Sequence, residues 1–401
     1  MGTSSSATTA RWSRAFVASG VAFFVTWQVA VLAGVPRSAT VALGLYGFVF
    51  HVVFGKGYQL IPSYFGRTLA IPRAPAIHLP LAIVGTIGAF AAGAGIGPRS
   101  VAGIGATGWF VGCLVFVGTL VWTVRDNLTG GETATGATDV HRQRIDRFAN
   151  AVVPVVLAYL LVGSGLPLAA ELGINPAALP PTGPPTTHLL AAGTAALLVF
   201  AIGIRLLPRL LVADPPPALV AVVLPAGALA PALLAIDFRG GTLFRAGAGL
   251  EAIALVGFAV AYADLYRQSD RNRVGSRAIL AAVGCGALVA LLGLVFAFAP
   301  ASSVPATAFD GHYRLAVGGF VGLTIVGVTY HFYPPAIASA PGIDDRTARA
   351  SVSALVAGLA LEIAGLLAAN PPLVGAGRWL SVLGAILYAA VLGTVFHERP
   401  G

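Results

Sequence analysis

Runs of about twenty apolar residues recur along the whole chain, and this length limits the fold more than any other feature. Such a run crosses a bilayer as an α-helix, because a helix hydrogen-bonds every backbone N–H and C=O within itself. Only 10% of the 401 residues are charged, whereas a soluble protein carries roughly 25%. A transmembrane β-barrel would instead show alternating segments of about ten residues. The sequence therefore predicts an all-α polytopic protein in the lipid bilayer.

The apolar runs predict about twelve transmembrane helices in a single membrane domain that covers residues 1–401. The predicted helices are 15–35, 41–61, 76–96, 101–124, 148–170, 187–207, 216–236, 243–264, 278–299, 311–333, 348–369 and 377–397. Two cysteines, Cys113 and Cys285, fall inside these runs without a CxxC neighbour. We expect both to be ordinary core residues without a disulfide.

Two charged linkers divide the chain into blocks of four helices. TDVHRQRIDRF at 138–148 follows the fourth helix, and YRQSDRNRVGSR at 266–277 follows the eighth. They predict three pseudo-repeats with the boundaries 10–137, 138–272 and 273–401. A major-facilitator transporter would break after its sixth helix, where this chain has only the short VADPPPA connection.

Arginines predict the orientation. With a cytoplasmic amino terminus, seventeen arginines fall in inside segments and six fall outside. The six are Arg37, Arg99, Arg239, Arg245, Arg314 and Arg378. Both termini are therefore predicted to be cytoplasmic. The net charge of +9 is a topology signal and not a nucleic-acid site, because the basic residues form no cluster with interleaved aromatic residues.

Three histidines occupy similar places in the predicted blocks. His51, His188 and His312 each lie near the predicted start of a block's second helix. An imidazole in hydrocarbon is costly unless it binds a metal or a hydrogen-bond partner, so we expect a shared polar centre. His78, between Pro75 and Pro80, is expected to be solvated or at the membrane interface.

Two glycines share a helix face with two of these histidines. Gly55 follows His51 by one turn and Gly319 follows His312 by two turns. Small residues there would leave a flat slot for a porphyrin, or would serve close helix packing.

Two segments resemble haem–copper oxidase subunit I. The segment ATAFDGHYRLAVGGFVGLTIVGVTYHFYPPAIASA at 306–340 looks like its tenth helix, and residues 47–69 look like its second helix. The resemblance implies that His51 and His312 are the axial ligands of a haem b. It also implies that Arg314 and Arg378, with Trp379 alongside, hold the haem propionates.

The chain departs from the oxidase pattern at the copper site. Asp310 replaces the oxidase's second histidine, and the sixth helix offers only TTHLL in place of a copper motif. The chain resembles more closely the NnrS family, the haem- and copper-containing membrane proteins associated with nitric oxide and denitrification. GIRLLPRLL at 203–211 and HVVFGKGYQLIPSYFGR at 51–67 are the similar segments. This resemblance implies a prokaryotic cell membrane. His188 is either a contact of the metal or haem site or a helix-terminal group at the external interface, and whether it binds copper is left open.

Two functions follow as expectations. The first is a haem-b-binding protein of the haem–copper oxidase/NnrS type, with a role in nitric oxide response or respiratory electron transfer. Its electron partner would be a quinone or a separate redox protein. The alternative is a haem-free transporter or channel that uses the ionisable groups inside its spans, Lys56, Glu251 and Glu362.

Overall fold

The computed structural model describes residues 2–174, 179–180, 182–238, 241–271, 273–338 and 340–398. The described residues are 83% helical and form no β-strand. Within these ranges, twelve helices are long and apolar enough to cross a membrane, which confirms the all-α polytopic fold. Arg239 and Arg399, which entered the orientation argument, lie outside the described residues.

The twelve helices, numbered here as spans 1–12, agree with the predicted helices in number and order. They are Ser5–Leu32, Arg37–Tyr64, Ala74–Ala94, Arg99–Thr123, Ala137–Glu171, Pro184–Leu211, Pro217–Ile236, Thr242–Gln268, Val274–Phe298, Ala306–Ile337, Asp345–Leu367 and Pro371–Glu398. Span 5 starts eleven residues before its predicted start because a 3₁₀ turn, Ala137–Arg142, precedes its α-helix. The charged linker is thus part of the helix, and hydropathy does not detect it.

Spans 2, 6 and 10 form the centre of the bundle. Between 67% and 78% of their most apolar window is buried, against 28–50% for the other spans. Each contains a π-helical segment, in which backbone hydrogen bonds reach five residues back. These segments are Ala42–Phe50, Ala191–Ala196 and Arg314–Gly322, and all three contact one another. One π-helical segment thus occurs in the second span of each predicted block of four. The block boundaries themselves stay a prediction.

Small residues let the spans approach closely. A Cβ on Gly44 would lie 2.7 Å from Cε2 of Trp27, and one on Gly318 would lie 3.2 Å from its Cη2. The indole of span 1 therefore fills the space between spans 2 and 10. Peripheral spans instead turn large apolar side chains outward, for example Ile77 and Ile104 at 61% exposure each. An apolar exterior fits contact with lipid.

The two ends of the bundle differ in their polar groups. We call the end where span 1 begins and span 12 ends the terminal end, and the opposite end the distal end. At the terminal end, outside the spans, Arg67 pairs with Asp126 at 2.9 Å and with Glu132 at 2.7 Å. The hydrogen bonds from Arg67 lower the pKa of Asp126 below its usual range.

Candidate functional site

The structure places His51 deeper than the sequence analysis expects. Span 2 begins at Arg37, so His51 lies fourteen residues inside it, or about 21 Å from the distal end at 1.5 Å per residue. His188 is four residues and His312 six residues inside their spans, or about 6 and 9 Å. His51 follows its π-helical segment, whereas the other two precede theirs. The expectation that all three occupy matching places is wrong for His51.

His51 is fully buried against span 1. Its Nδ1–H donates to the carbonyl oxygen of Tyr46 at 3.0 Å, and its ring centroid lies 5.0 Å from that of Phe23 and 6.0 Å from that of Phe16. Its Nε2 has no hydrogen-bond partner among the described residues. A histidine held through Nδ1 with a free Nε2 is arranged as metal-binding histidines are.

His78 is a functional candidate that the sequence analysis missed. It is fully buried, and Tyr58 bonds its Nδ1 at 3.1 Å, while its Nε2 has no partner among the residues described. Span 3 begins at Ala74 with Pro75 in its first turn, two residues before its predicted start. Proline is favoured there because its missing N–H would be unpaired anyway. His78 thus lies four residues inside span 3, where its ring packs against phenylalanines of spans 1, 2 and 4 and is shielded from solvent.

His188 and His312 form a pair near the distal end. Their ring centroids are 6.4 Å apart and their planes differ by 21°. His188 donates its Nδ1–H to the carbonyl oxygen of Pro184 at 2.8 Å, while Nδ1 of His312 is buried without a partner among the described residues. Phe238 contacts the first ring and Phe296 the second. The structure therefore brings His312 to His188, whereas the ring neighbours of His51 belong to span 1.

Arg314 and Arg378 come together as expected, but around a carboxylate. Glu362 is fully buried and accepts from Nε of Arg314 at 2.8 Å and from Nε of Arg378 at 2.9 Å. Arg314 also donates to Gln28 at 2.8 Å and leaves its Nη1 unpartnered within the described part of the chain. Trp379 is 66% exposed on the lipid-facing surface. One guanidinium nitrogen is thus free for a further anion.

The two glycines of the expected porphyrin slot are in helix contacts. A Cβ on Gly55 would lie 2.8 Å from the carbonyl oxygen of Ser13 and from Cβ of Phe16. One on Gly319 would lie 2.7 Å from Cβ of Cys285. Protein atoms occupy the space above both glycines, so their role here is close helix packing.

The ionisable groups inside the spans are partnered to different degrees. Lys56 donates to the hydroxyl of Tyr333 at 2.7 Å and to Gln59 at 3.3 Å, so its hydrogen-bond partners among the described residues are neutral side chains. Glu251 has one buried carboxylate oxygen without a partner among the described residues. No basic side chain among the described residues pairs with this oxygen of Glu251.

Pairs of imidazoles are the ligand sets that the structure offers. Within the described ranges, no group of three or more His, Cys, Asp or Glu side chains is placed to hold a metal ion. No model of a known protein family matches the chain, and no curated protein matches it in sequence. The haem–copper oxidase/NnrS resemblance therefore stays a prediction that rests on the motifs quoted above.

Proposed function

We propose that the chain is a haem-b-binding integral membrane protein of the haem–copper oxidase/NnrS type, with His188 and His312 as its paired imidazoles. The proposal keeps His312 as a ligand and replaces His51 by His188 as its partner. The observation that carries it is the near-parallel pair of rings at 6.4 Å beside the distal end.

The separation suits one metal ion between two rings. Imidazoles on opposite sides of one ion have centroids roughly 6 Å apart, because each metal–nitrogen bond is about 2 Å. Both histidines precede the π-helical segment of their span, so the two backbones present them at equivalent levels. His51 lies about 12 Å further along its helix than His312, so these two rings would not meet at one ion without a large tilt of the spans.

One hydrogen bond of His188 and one buried nitrogen of His312 support ligand binding at this pair. The bond from His188 to Pro184 fixes its proton on Nδ1 and leaves Nε2 as a lone-pair donor. An unpartnered buried nitrogen on His312 costs free energy in an apolar site, and a ligand would remove that cost. Haem b bound here would supply one-electron redox chemistry, which is consistent with a role in respiratory electron transfer or nitric oxide response.

The remaining expectations complete the proposal. Arg314 lies two residues after His312, so it points to another side of span 10, where it contacts Gln28 and Glu362. The proposed pair of imidazoles therefore does not use Arg314 as a propionate ligand. The membrane would be that of a prokaryotic cell, with the terminal end cytoplasmic and the distal end outside. A quinone or a separate redox protein would exchange electrons with it. A copper ion at His188 is a competing occupant of the same pair.

Purified protein tests the proposal directly. We expect a reduced-minus-oxidised spectrum with sharp Soret and alpha bands, and about one haem per chain by extraction. His312→Ala should lose these bands, whereas His331→Ala should retain them, because His331 contacts Ser276 near the terminal end. A colourless, folded wild-type protein that gains no bands after incubation with haem would contradict the proposal, and metal quantification would then decide for copper.

A transporter or channel is the second candidate, and Glu251 is the observation that favours it. A buried carboxylate without a fixed partner inside a span is typical of a proton or ion site. If the protein is haem-free, solute or proton flux in vesicles should be lost in Glu251→Gln. Flux that is unchanged by this substitution counts against the second candidate.

A further inference from the structure

A cavity of about 730 Å³ opens at the distal end between spans 2 to 6. Small-molecule sites typically have about 300–1,000 Å³. Its rim includes Arg37 and Glu171, and its floor includes Tyr46, Trp109 and Ser164. These floor residues lie seven to ten residues inside their spans, or about 10–15 Å. The cavity therefore reaches between a fifth and two fifths of the way along these spans, which have 28, 25 and 35 residues.

The floor of the cavity offers one free hydrogen-bond donor. Trp109 already donates its Nε1–H to Oγ of Ser164 at 3.0 Å, and Sγ of Cys113 lies 3.3 Å from the same oxygen. The hydroxyl of Tyr46 makes no hydrogen bond to any described residue. A hydroxyl in an apolar site is stabilised by an acceptor, so the floor is suited to a ligand with an exposed oxygen.

The floor is aromatic and the walls are small. The rings of Tyr46 and Trp109 are 4.5 Å apart at 53°, and alanines such as Ala89 and Ala106 line the walls. Such walls admit a flat ring, which gains contact with the two aromatic side chains.

Charges are confined to the rim of the cavity. Arg37 is half-exposed and pairs with Asp310 at 2.9 Å, and Glu171 is exposed. No ionisable carboxylate, ammonium or guanidinium group is among the described residues that line the floor. A charged ligand at the floor would lose its hydration without a counter-charge, so the ligand must be neutral.

The bilayer provides the route to the cavity. A second cavity of about 380 Å³ lies between spans 4 and 5 and shares Glu171 with the first. The neighbouring outer surface of span 4 exposes Ile104 toward lipid. A long apolar tail could therefore leave the site through the crevice between these spans, so the ligand would arrive from the membrane.

We infer that this cavity binds the ring of an isoprenoid quinone, with the Tyr46 hydroxyl donating to a quinone carbonyl oxygen. A phospholipid acyl chain has neither an acceptor for this hydroxyl nor a flat ring. The inference deepens the proposed function, because it names the class of electron partner, and only that role rests on the proposed function. The backbone also connects the cavity to the proposed imidazole pair, since Pro184 lines the cavity and its carbonyl oxygen accepts from His188.

Binding is measured by titrating purified protein in detergent with decylubiquinone and following the quenching of tryptophan fluorescence. Trp122 and Trp379, which are 55% and 66% exposed, are replaced by Phe so that quenching from the micelle is reduced. We expect saturable quenching at one site per chain. Tyr46→Phe should weaken binding roughly threefold to tenfold, the loss of one hydrogen bond. Ala106→Phe should abolish it by filling the cavity.

Two matched variants control for indirect effects. Tyr330→Phe removes a buried hydroxyl that also has no partner among the described residues, but Tyr330 does not line the cavity. Ile77→Phe adds the same ring to the outer side of span 3, at a residue that lines neither cavity. Both should bind as the parent protein does.

The outcomes separate this inference from the proposed function. Linear quenching that is equal in all variants, or saturable binding that survives Ala106→Phe, would overturn the quinone site. Saturable binding to a haem-free protein would support the site while the haem proposal fails. A haem-loaded protein that shows no saturable binding of decylubiquinone would support the haem proposal and overturn the quinone site.

Discussion

The buried charges at the terminal end and the histidine pair at the distal end are built in different ways. Asp146 is almost fully buried and accepts from Arg209 at 2.7 Å and Thr135 at 2.5 Å, and Nε of Arg205 lies 3.2 Å away in ion-pair contact. At the distal end, Nδ1 of His312 is buried without a partner among the described residues, while His188 donates its Nδ1–H to the carbonyl oxygen of Pro184. The first set is paired within the protein, except that Nε of Arg205 has an ion-pair contact without a hydrogen bond among the described residues. In the second set, a buried imidazole nitrogen has no protein partner in that part of the chain.

Arg205 makes most of the hydrogen bonds of this terminal-end network, through its two terminal nitrogens Nη1 and Nη2. Its Nη1 donates to the carbonyl of Tyr64 at 2.9 Å and to the side chain of Asn150, and its Nη2 donates to the carbonyl of Thr133 at 2.8 Å. The network joins spans 2, 5 and 6 to the loop that follows span 4. We infer that this motif residue, which lies in the NnrS-like segment, has a structural role.

Asp146→Ala should give the largest loss of stability. Removing one partner of a buried ion pair leaves uncompensated charge and typically costs about 3–5 kcal/mol. A thiol-reactive dye measures unfolding here, because Cys113 is fully buried and Cys285 is largely covered. The control is Asp126→Ala, at an exposed carboxylate. Equal melting temperatures for the two variants would contradict the claim that the buried contacts of Asp146 stabilise the terminal end.

Glu362→Gln should also destabilise the protein, by about 3 kcal/mol, a value at the lower end of the same range. The amide leaves Arg314 and Arg378 without a carboxylate, but Arg378 is 27% exposed and can turn toward solvent. The same dye assay checks this prediction. A variant as stable as the parent protein would show that this distal cluster does not hold spans 10, 11 and 12 together.

His312→Leu should change the stability of the cofactor-free protein by less than about 1 kcal/mol. Replacing an unpartnered polar group by an apolar group of similar size removes a desolvation cost and keeps the packing. The melting temperature of the cofactor-free variant is compared with that of the cofactor-free parent protein. A loss as large as that of Asp146→Ala would mean that the imidazole is structural.

Asp126→Asn should give the smallest effect and a distinctive pH dependence. Arg67 lowers the pKa of Asp126, so this pair stabilises the fold above the carboxyl's unfolded pKa, and the contribution is lost as pH falls through the lowered folded value. The melting curves of variant and parent protein should converge in acid. A difference that grows in acid would have the wrong sign.

The sequence predicts the spans well because burial in lipid demands length and apolarity, which are local properties. It locates His188 and His312 near the starts of their helices for the same reason. The depth of His51 is missed because span 2 starts at Arg37, a charged residue that hydropathy places in a loop. The sequence also misses the contact of Glu362 with Arg314, because it joins two different spans, 10 and 11. It misses the π-helical segments as well, because their period is not resolved by apolar patterning. Both features depend on tertiary packing.

The ligand pairing is tested most directly by comparing the visible spectra of His188→Ala and His51→Ala, each prepared with haem as the parent protein is. The account predicts that His188→Ala loses the low-spin bands while His51→Ala keeps them. Retention of the bands in His188→Ala together with their loss in His51→Ala would contradict the account, and would return His51 to the position of axial ligand.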